Sequence, residues 1–150
     1  MNIPRPLAVT LAVLLVASPL AAAGLGSGLS NEGFMIELTS VERKGNIVTV
    51  KWSARNDNPK EKKYDIDLAG AAATSYLVDE ESGTKYYALT DKEGHLLATE
   101  TEYDGIYEGI EAGQTMRFWA KFPAPPPAVK AINILFTKSE PFESVPITDK

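Results

Sequence analysis

The sequence contains no cysteine. This absence excludes disulfide bonds, thiol catalysis and cysteine-based metal sites, so the fold must be held together by packing alone. It also excludes the lipid-modified cysteine that follows the signal of a bacterial lipoprotein. Small secreted domains of animals usually depend on disulfides, and we therefore expect a bacterial source.

Histidine is almost as scarce, because His95 is the only one in the chain. A nucleophile–base pair would depend wholly on this residue, and a histidine-rich metal site cannot be assembled. His95 follows Gly94 in a sequence typical of a hairpin turn, so we expect an exposed turn residue. A catalytic triad built on His95 is the alternative. We predict no catalytic residue and no cofactor.

The chain has no excess of basic residues. Its 15 lysines and arginines are outnumbered by 20 aspartates and glutamates, which gives a formal net charge of −5. Nucleic acids and anionic lipids favour basic surfaces. We therefore expect neither of them as a partner.

No apolar run is long enough for a membrane-spanning helix. The stretch from Leu7 to Ala17 is well short of the roughly 20 residues that a bilayer requires, and Pro19 follows it. A single basic residue precedes this stretch and small residues follow it, which predicts a cleavable signal peptide over residues 1–23. We expect cleavage between Ala23 and Gly24.

The same segment narrows the export route. No pair of arginines precedes the apolar run, which argues against twin-arginine export. The alternative to cleavage is an anchor that stays in the membrane. We expect a cleaved product in the periplasm or the medium, with no stable membrane anchor after cleavage and no lipid modification.

Hydrophobicity with a period of two dominates the chain after residues 24–33, which we interpret as a flexible lead-in. Apolar and polar residues alternate from Phe34 to Thr39 and again from Val48 to Arg55. This is the pattern of half-buried antiparallel strands. The link 43–46 contains Gly45, which can adopt a positive φ, and we predict a hairpin there.

Further short runs of the same kind continue along the chain, and no stretch has the periodicity of a helix. We predict an all-β fold: an immunoglobulin-like antiparallel β-sandwich of seven to nine strands over residues 34–150, with no disulfide. Trp52 and Phe118 are expected to fill its core. A closed barrel is the alternative architecture.

Two groups of short motifs carry a family resemblance. The first comprises Tyr76 to Asp79, Ser82-Gly83, Lys85 to Tyr87, Leu89 and Asp91 to Gly94, and the second comprises Phe118 to Pro125 and Pro141 to Ile147. They are similar to secreted bacterial immunoglobulin-like domains of unknown function. Such domains occur alone behind a signal peptide, or ahead of a peptidoglycan-binding domain of the outer-membrane-protein-A type. The resemblance implies a sandwich fold and an envelope location, and it assigns no active site.

The acidic stretch from Glu100 to Gly113 is predicted to be a loop. Glu100, Glu102 and Asp104 alternate, so their carboxylates would share one face of an extended segment. Hard oxygen ligands on a bendable loop suit Ca²⁺, which makes these three residues the candidate metal ligands. A solvated acidic loop is the alternative, and the same carboxylates also permit a glycosidase.

Trp119 is the leading candidate for a binding residue. If Phe118 and its alternate neighbours face the core, Trp119 points outward between Arg117 and Lys121. An exposed tryptophan can stack on a sugar ring or anchor a protein partner. Tyr103 and Tyr107 on the neighbouring loop could extend the aromatic patch, and the alternative is that this loop covers Trp119.

These observations favour a non-enzymatic envelope or periplasmic protein that binds another envelope protein or a glycan, or serves as a structural module. A hydrolase that uses acidic residues and a calcium-dependent adhesion module are the alternatives. The residues alone do not separate a protein partner from a glycan.

Overall fold

The computed structural model describes residues 25–69, 73–99 and 104–150. Within these ranges the chain is all-β, with eleven strands and no helix, and therefore no helix that could span a membrane. The predicted signal peptide and its cleavage site at Ala23 and Gly24 lie outside the described residues. The strands are β1 (Gly26–Leu29), β2 (Phe34–Lys44), β3 (Ile47–Asn56), β4 (Lys62–Asp67), β5 (Tyr76–Asp79), β6 (Thr84–Tyr86), β7 (Gly105–Ile110), β8 (Thr115–Pro123), β9 (Ala131–Leu135), β10 (Phe142–Pro146) and β11 (Thr148–Asp149).

The largest sheet has the order β1-β2-β3-β8, and β11 joins it by pairing in parallel with β2. β2 and β3 form the predicted hairpin, in which Lys44 pairs with Ile47. Gly45 turns the chain with a φ of 58°, a conformation that glycine adopts without the steric cost of a Cβ. β3 then pairs with β8 from Ile47↔Pro123 to Arg55↔Thr115.

Two smaller antiparallel sheets complete the fold: a four-stranded sheet of order β10-β9-β5-β6, and the pair β4-β7. β7 corrects the prediction that residues 100–113 form a loop. Ile106 and Ile110 are fully buried, and their spacing of four residues places both on one face of the strand. Gly105 favoured the loop interpretation of this segment. The fold requires a glycine at this position, because a Cβ there would collide with the carbonyl oxygen of Ile66.

The lead-in predicted over residues 24–33 also differs from the structure, because it contains β1. Gly26 and Gly28 pair with Leu38 and Ile36 of β2. A Cβ on Gly26 or Gly28 would lie 3.3 or 3.4 Å from the ring of Phe142. The glycines therefore allow Phe142 to pack closely against β1. With β1, β7 and the short β11, the number of strands exceeds the predicted seven to nine.

One hydrophobic core joins the three sheets. Trp52 is 1% exposed, and its ring centroid lies 5.9 Å from that of Phe118 and 4.6 Å from that of Phe136. Its indole N–H donates a hydrogen bond of 3.1 Å to the hydroxyl of Tyr64. The predicted core positions of Trp52 and Phe118 are confirmed.

The open edge of β8 is covered by the segment 89–99. Lys121 donates its backbone N–H to the carbonyl of Leu97 at 2.9 Å, and its own carbonyl accepts from Leu89 at 2.8 Å. An uncovered edge would offer unpaired backbone groups to another chain. This segment therefore completes the sheet on the side away from β3.

Arg43 near the end of β2 holds the connector between β8 and β9. Its guanidinium is 4% exposed and donates to the carbonyls of Pro125, Pro126, Pro127 and Val129 at 3.0 to 3.4 Å. Its Nε–H donates to Asp149 at 2.6 Å. Because prolines have no N–H, their backbone contributes only acceptors, and the fork of Arg43 supplies the donors.

Asp149 makes stability depend on pH. Hydrogen bonds from Arg43 and then Lys130 lower the pKa of Asp149 from 3.8 to about 2. A carboxylate with a lowered folded pKa stabilises the fold above its unfolded pKa and loses that contribution as the pH falls through the folded value. We expect Asp149→Asn to flatten the decline in melting temperature between pH 4 and pH 2. Glu111→Gln, which removes an exposed carboxylate, is the control and should leave the decline unchanged; identical profiles for the two variants would contradict the prediction.

Candidate binding surface

Trp119 lies on the outer face of the largest sheet and is 37% exposed. Phe118, Ala120 and Phe122 are buried on the inner face, so the predicted alternation along β8 is confirmed. The fold therefore presents a large aromatic side chain to solvent from the middle of a strand, rather than from a loop.

Three basic side chains surround this ring. Arg117 and Lys121 lie two residues away on the same face of β8, and Lys51 of β3 pairs directly with Trp119. The ammonium of Lys121 lies 5.7 Å from the ring centroid. Among the described residues, none of the three cations forms an ion pair. We call Lys51, Arg117, Trp119 and Lys121 the Trp119 face.

Two described acidic residues, Glu37 and Glu42, lie on the same side of the sheet. Glu42 forms an ion pair with Lys150 at 2.9 Å. The hydrogen bond from Lys150 and, to a smaller extent, the charges of Lys150 and Lys51 lower the pKa of Glu42. Glu37 on β2 pairs with Ser53 and is separated from β8 by β3. Among the described residues, Arg117 and Lys121 therefore have no carboxylate partner, and the nearby charge of Glu42 acts on Lys51 without an ion pair.

The backbone of Trp119 is fixed from both sides. β3 pairs with it on one side. On the other, Trp119 donates its N–H to the hydroxyl oxygen of Thr99 at 2.7 Å, and Thr99 donates its N–H to the carbonyl of Trp119 at 2.8 Å. Binding through Trp119 therefore need not order the backbone of β8, because that backbone is already fixed.

A row of paired residues runs across the sheet from Trp119 and ends at a β-bulge. Trp119 pairs with Lys51, Lys51 pairs with Ser40, and the register of β2 shifts between Leu38 and Ser40. Among the described residues, Ser40 has the one buried side-chain polar atom without a hydrogen-bond partner. Bulges of this kind re-aim side chains and are frequent beside functional sites.

The aromatic patch predicted around Trp119 is not formed by Tyr107. The Tyr107 hydroxyl donates to Asp67 or Asp104, at 3.3 Å in each case, and Lys63 lies 5.1 Å from its ring centroid. Burial and then the charge of Asp104 raise the pKa of Tyr107 to about 12. Trp119 forms no aromatic pair with any other described residue, and Tyr103 lies outside the described ranges.

Of the three candidate metal ligands, Asp104 lies within the described residues. Asp104 precedes β7 and accepts from Tyr107, whereas Glu100 and Glu102 lie outside the described residues. Across residues 25–69, 73–99 and 104–150, no group of three His, Asp or Glu side chains is placed to hold a metal ion. The calcium site therefore stays a prediction.

His95 occupies an exposed turn, as predicted. Its side chain is 77% exposed, and Nδ1 lies 3.1 Å from the carboxylate of Asp91. Asp91 closes the turn by accepting the backbone N–H of His95 at 2.8 Å. This backbone hydrogen bond is the main cause of the lowered pKa of Asp91.

The sequence interpretation missed a second aromatic surface, on the four-stranded sheet. The ring centroids of Tyr76 and Tyr87 are 5.7 Å apart, Tyr87 is 46% exposed, and the Lys85 ammonium lies 4.2 Å from the Tyr76 ring centroid. Nearby, a cavity of about 290 Å³ lies between the turn at Asp79 and the start of β9. The Lys85-Tyr86-Tyr87 run was the available signal for this surface.

The turn beside this cavity uses its own carboxylate internally. Asp79 is 8% exposed and accepts from the hydroxyl of Ser82 at 2.6 Å and from the backbone N–H of Glu81 at 3.2 Å. These hydrogen bonds shape the turn between β5 and β6. The Asp79 carboxylate is therefore committed to the fold rather than free for a ligand.

Comparison of the chain with protein-family models, with curated proteins and with solved structures finds no match. The immunoglobulin-like resemblance therefore stays a prediction. The structure itself establishes an all-β fold built from several mainly antiparallel sheets.

Proposed function

We propose that this protein is an exported, non-enzymatic binding module with an immunoglobulin-like sandwich fold, and that the Trp119 face binds a glycan. The observation that carries the proposal is the exposure of Trp119 on the outer face of β8, among cations that have no ion-pair partner among the described residues. The shared core of the two larger sheets supports the sandwich, and the apolar stretch before Gly24 supports export.

A glycan fits this surface because the ring is flat and accessible, and the backbone that carries it is held in place. The C–H groups of a sugar ring pack on an aromatic face, and the neighbouring polar side chains can bind its hydroxyl groups. Lys51 and Arg117 are within reach of such a sugar, because one lies on the adjacent strand and the other on the same face. The covered edge of β8 limits association through its backbone, so the side chains of this face are its means of recognition.

The test compares two exposed aromatic residues. We expect Trp119→Ala to weaken the binding of a polysaccharide by about tenfold or more, the effect of losing a hot-spot aromatic. The binding is measured by isothermal titration or affinity electrophoresis over a panel of neutral and acidic polysaccharides.

Tyr87→Ala is the matched control, since Tyr87 is also an exposed aromatic residue but lies outside the Trp119 face. It should bind as the unaltered protein does. Equal losses in the two variants, or no binding by the unaltered protein, would overturn the proposal. Circular dichroism checks that both variants fold, and a collapse of Trp119→Ala alone would show that Trp119 serves the core instead.

A further inference from the structure

We infer that the ligand of the Trp119 face is an acidic polysaccharide whose sugars bear carboxylates. The inference rests on the proposed glycan-binding function and names its substrate class. It depends on the placement of charge around Trp119, rather than on the exposure of the ring.

The charge on this face runs against the charge of the chain. The protein has a formal net charge of −5, yet among the described residues the side chains two positions away from Trp119 on β8 and its pairing partner on β3 are all basic. Elsewhere, basic side chains such as Arg55, Lys138 and Lys150 are engaged by carboxylates. A cluster of cations that has no ion-pair partner in the described part of the chain, beside an exposed aromatic ring, is complementary to an anionic ligand that also has a stacking surface.

The three cations are spaced for a polymer rather than for a single anion. Arg117 and Lys121 lie four residues apart on one strand, about 13 Å at the rise of an extended chain, with Trp119 between them. Lys51 lies on the neighbouring strand, about 4.8 Å away across the sheet. A sugar stacked on Trp119 therefore has a cation on either side along the strand, and successive carboxylates of one linear chain can contact both.

The side-chain types agree with carboxylate recognition. The guanidinium of Arg117 can bind a carboxylate through two parallel hydrogen bonds. Lys51 and Lys121 act as point charges that tolerate variation in the position of the second group. Their aliphatic stems extend the apolar surface beside the indole ring.

A densely charged polyanion fits less well. Double-stranded DNA carries a charge every ~1.7 Å along its axis, whereas a polyuronate carries one per sugar. A protein with an excess of carboxylates repels a densely charged polymer outside the small basic area. This favours a ligand whose charges are separated by neutral sugar surface.

The experiment measures the affinity of the purified protein for polygalacturonate, with dextran, dextran sulfate and double-stranded DNA as the other arms. We expect polygalacturonate to bind most tightly. Replacing the three cations together, Lys51→Gln, Arg117→Gln and Lys121→Gln, should weaken that binding about 30-fold, since each exposed charge contributes roughly threefold. Raising the salt from 0.1 to 1 M, which shortens the screening length from about 10 to about 3 Å, should have a similar effect.

The control removes the same charge elsewhere, through Lys60→Gln, Lys63→Gln and Lys85→Gln. These lysines are exposed and lie outside the Trp119 face, so the control should retain affinity within about threefold. Equal weakening in both triple variants would show that net charge alone attracts the polymer, and would overturn the inference. So would tighter binding of DNA or dextran sulfate.

The inference and the proposed function can fail separately. Binding of dextran that is lost in Trp119→Ala but kept in the Trp119-face triple variant would retain the glycan-binding function and overturn the carboxylate specificity. Absence of binding to every polysaccharide would overturn both. Melting temperatures of the two triple variants show whether a loss of affinity reflects a loss of folding.

Discussion

Replacing Arg43 by alanine is expected to lower the free energy of unfolding by about 3 to 5 kcal/mol, because one buried and several partly buried carbonyl groups lose their hydrogen-bond donor at once. Arg43 bonds the carbonyls of the connector at Pro125, Pro126 and Val129 at 3.0 to 3.2 Å and is itself 4% exposed. The contribution of Asp149 is smaller, since that side chain is half exposed and solvent screens it.

Arg43→Lys tests whether the fork or the charge is responsible. Lysine keeps the positive charge but has a single ammonium group, which cannot serve all of these acceptors in the same geometry. We therefore expect Arg43→Lys to lose a large part of the same free energy, and Arg43→Met to lose nearly all of it. Urea denaturation followed by tryptophan fluorescence measures each variant.

Arg55→Ala is the control for the loss of an arginine from this sheet. Arg55 is half exposed, and its ion pair with Asp57 lies at the surface. Its removal should change the denaturation midpoint little. If Arg43→Ala and Arg55→Ala unfold at the same urea concentration, the bonds between Arg43 and the proline connector do not stabilise the fold.

Arg43 also shows where prediction from the sequence ended. Arg43 points inward, on the same face of β2 as Val41. A bulge between Leu38 and Ser40 shifts the alternation, so the pattern that begins at Phe34 would place Arg43 on the outer face. Three consecutive prolines do indicate a connector. The sequence does not show which distant residue supplies its hydrogen-bond donors, because that depends on the tertiary structure.

The candidate binding surface was predictable to a similar extent. Alternation along β8 places Trp119, Arg117 and Lys121 on one outward face, since period two holds within a strand. Lys51 could not be added, because the register between β3 and β8 is fixed only when both strands pair in the folded sheet. β1 and β7 were missed for a related reason, because their glycines favour a loop interpretation. In the folded protein these positions require glycine, since Phe142 packs against β1 and the backbone of β4 packs against β7.

Replacing Trp52 by alanine is expected to lower the free energy of unfolding by about 3 to 5 kcal/mol, the usual range for a buried tryptophan. The ring is 1% exposed and lies in contact distance of Phe118 and Phe136 at the junction of the sheets. The polar part of this effect can be isolated. Trp52→Phe should leave the hydroxyl of Tyr64 without its donor, and Tyr64→Phe should leave the indole N–H of Trp52 without its acceptor.

Each of these single variants should lose about 1 to 3 kcal/mol, the cost of an unpaired buried polar group together with lost packing. The double variant Trp52→Phe with Tyr64→Phe removes both polar groups, so its loss should be smaller than the sum of the single losses by about 1 kcal/mol. Burial raises the pKa of Tyr64 above its usual range, so the hydroxyl stays protonated throughout the neutral range in which unfolding is measured.

Circular dichroism in urea gives the free energy of unfolding of the unaltered protein, the two single variants and the double variant. In the control cycle Trp119→Phe replaces Trp52→Phe, since Trp119 faces solvent. Additivity within about 0.5 kcal/mol in both cycles would show that the hydrogen bond between Trp52 and Tyr64 contributes nothing.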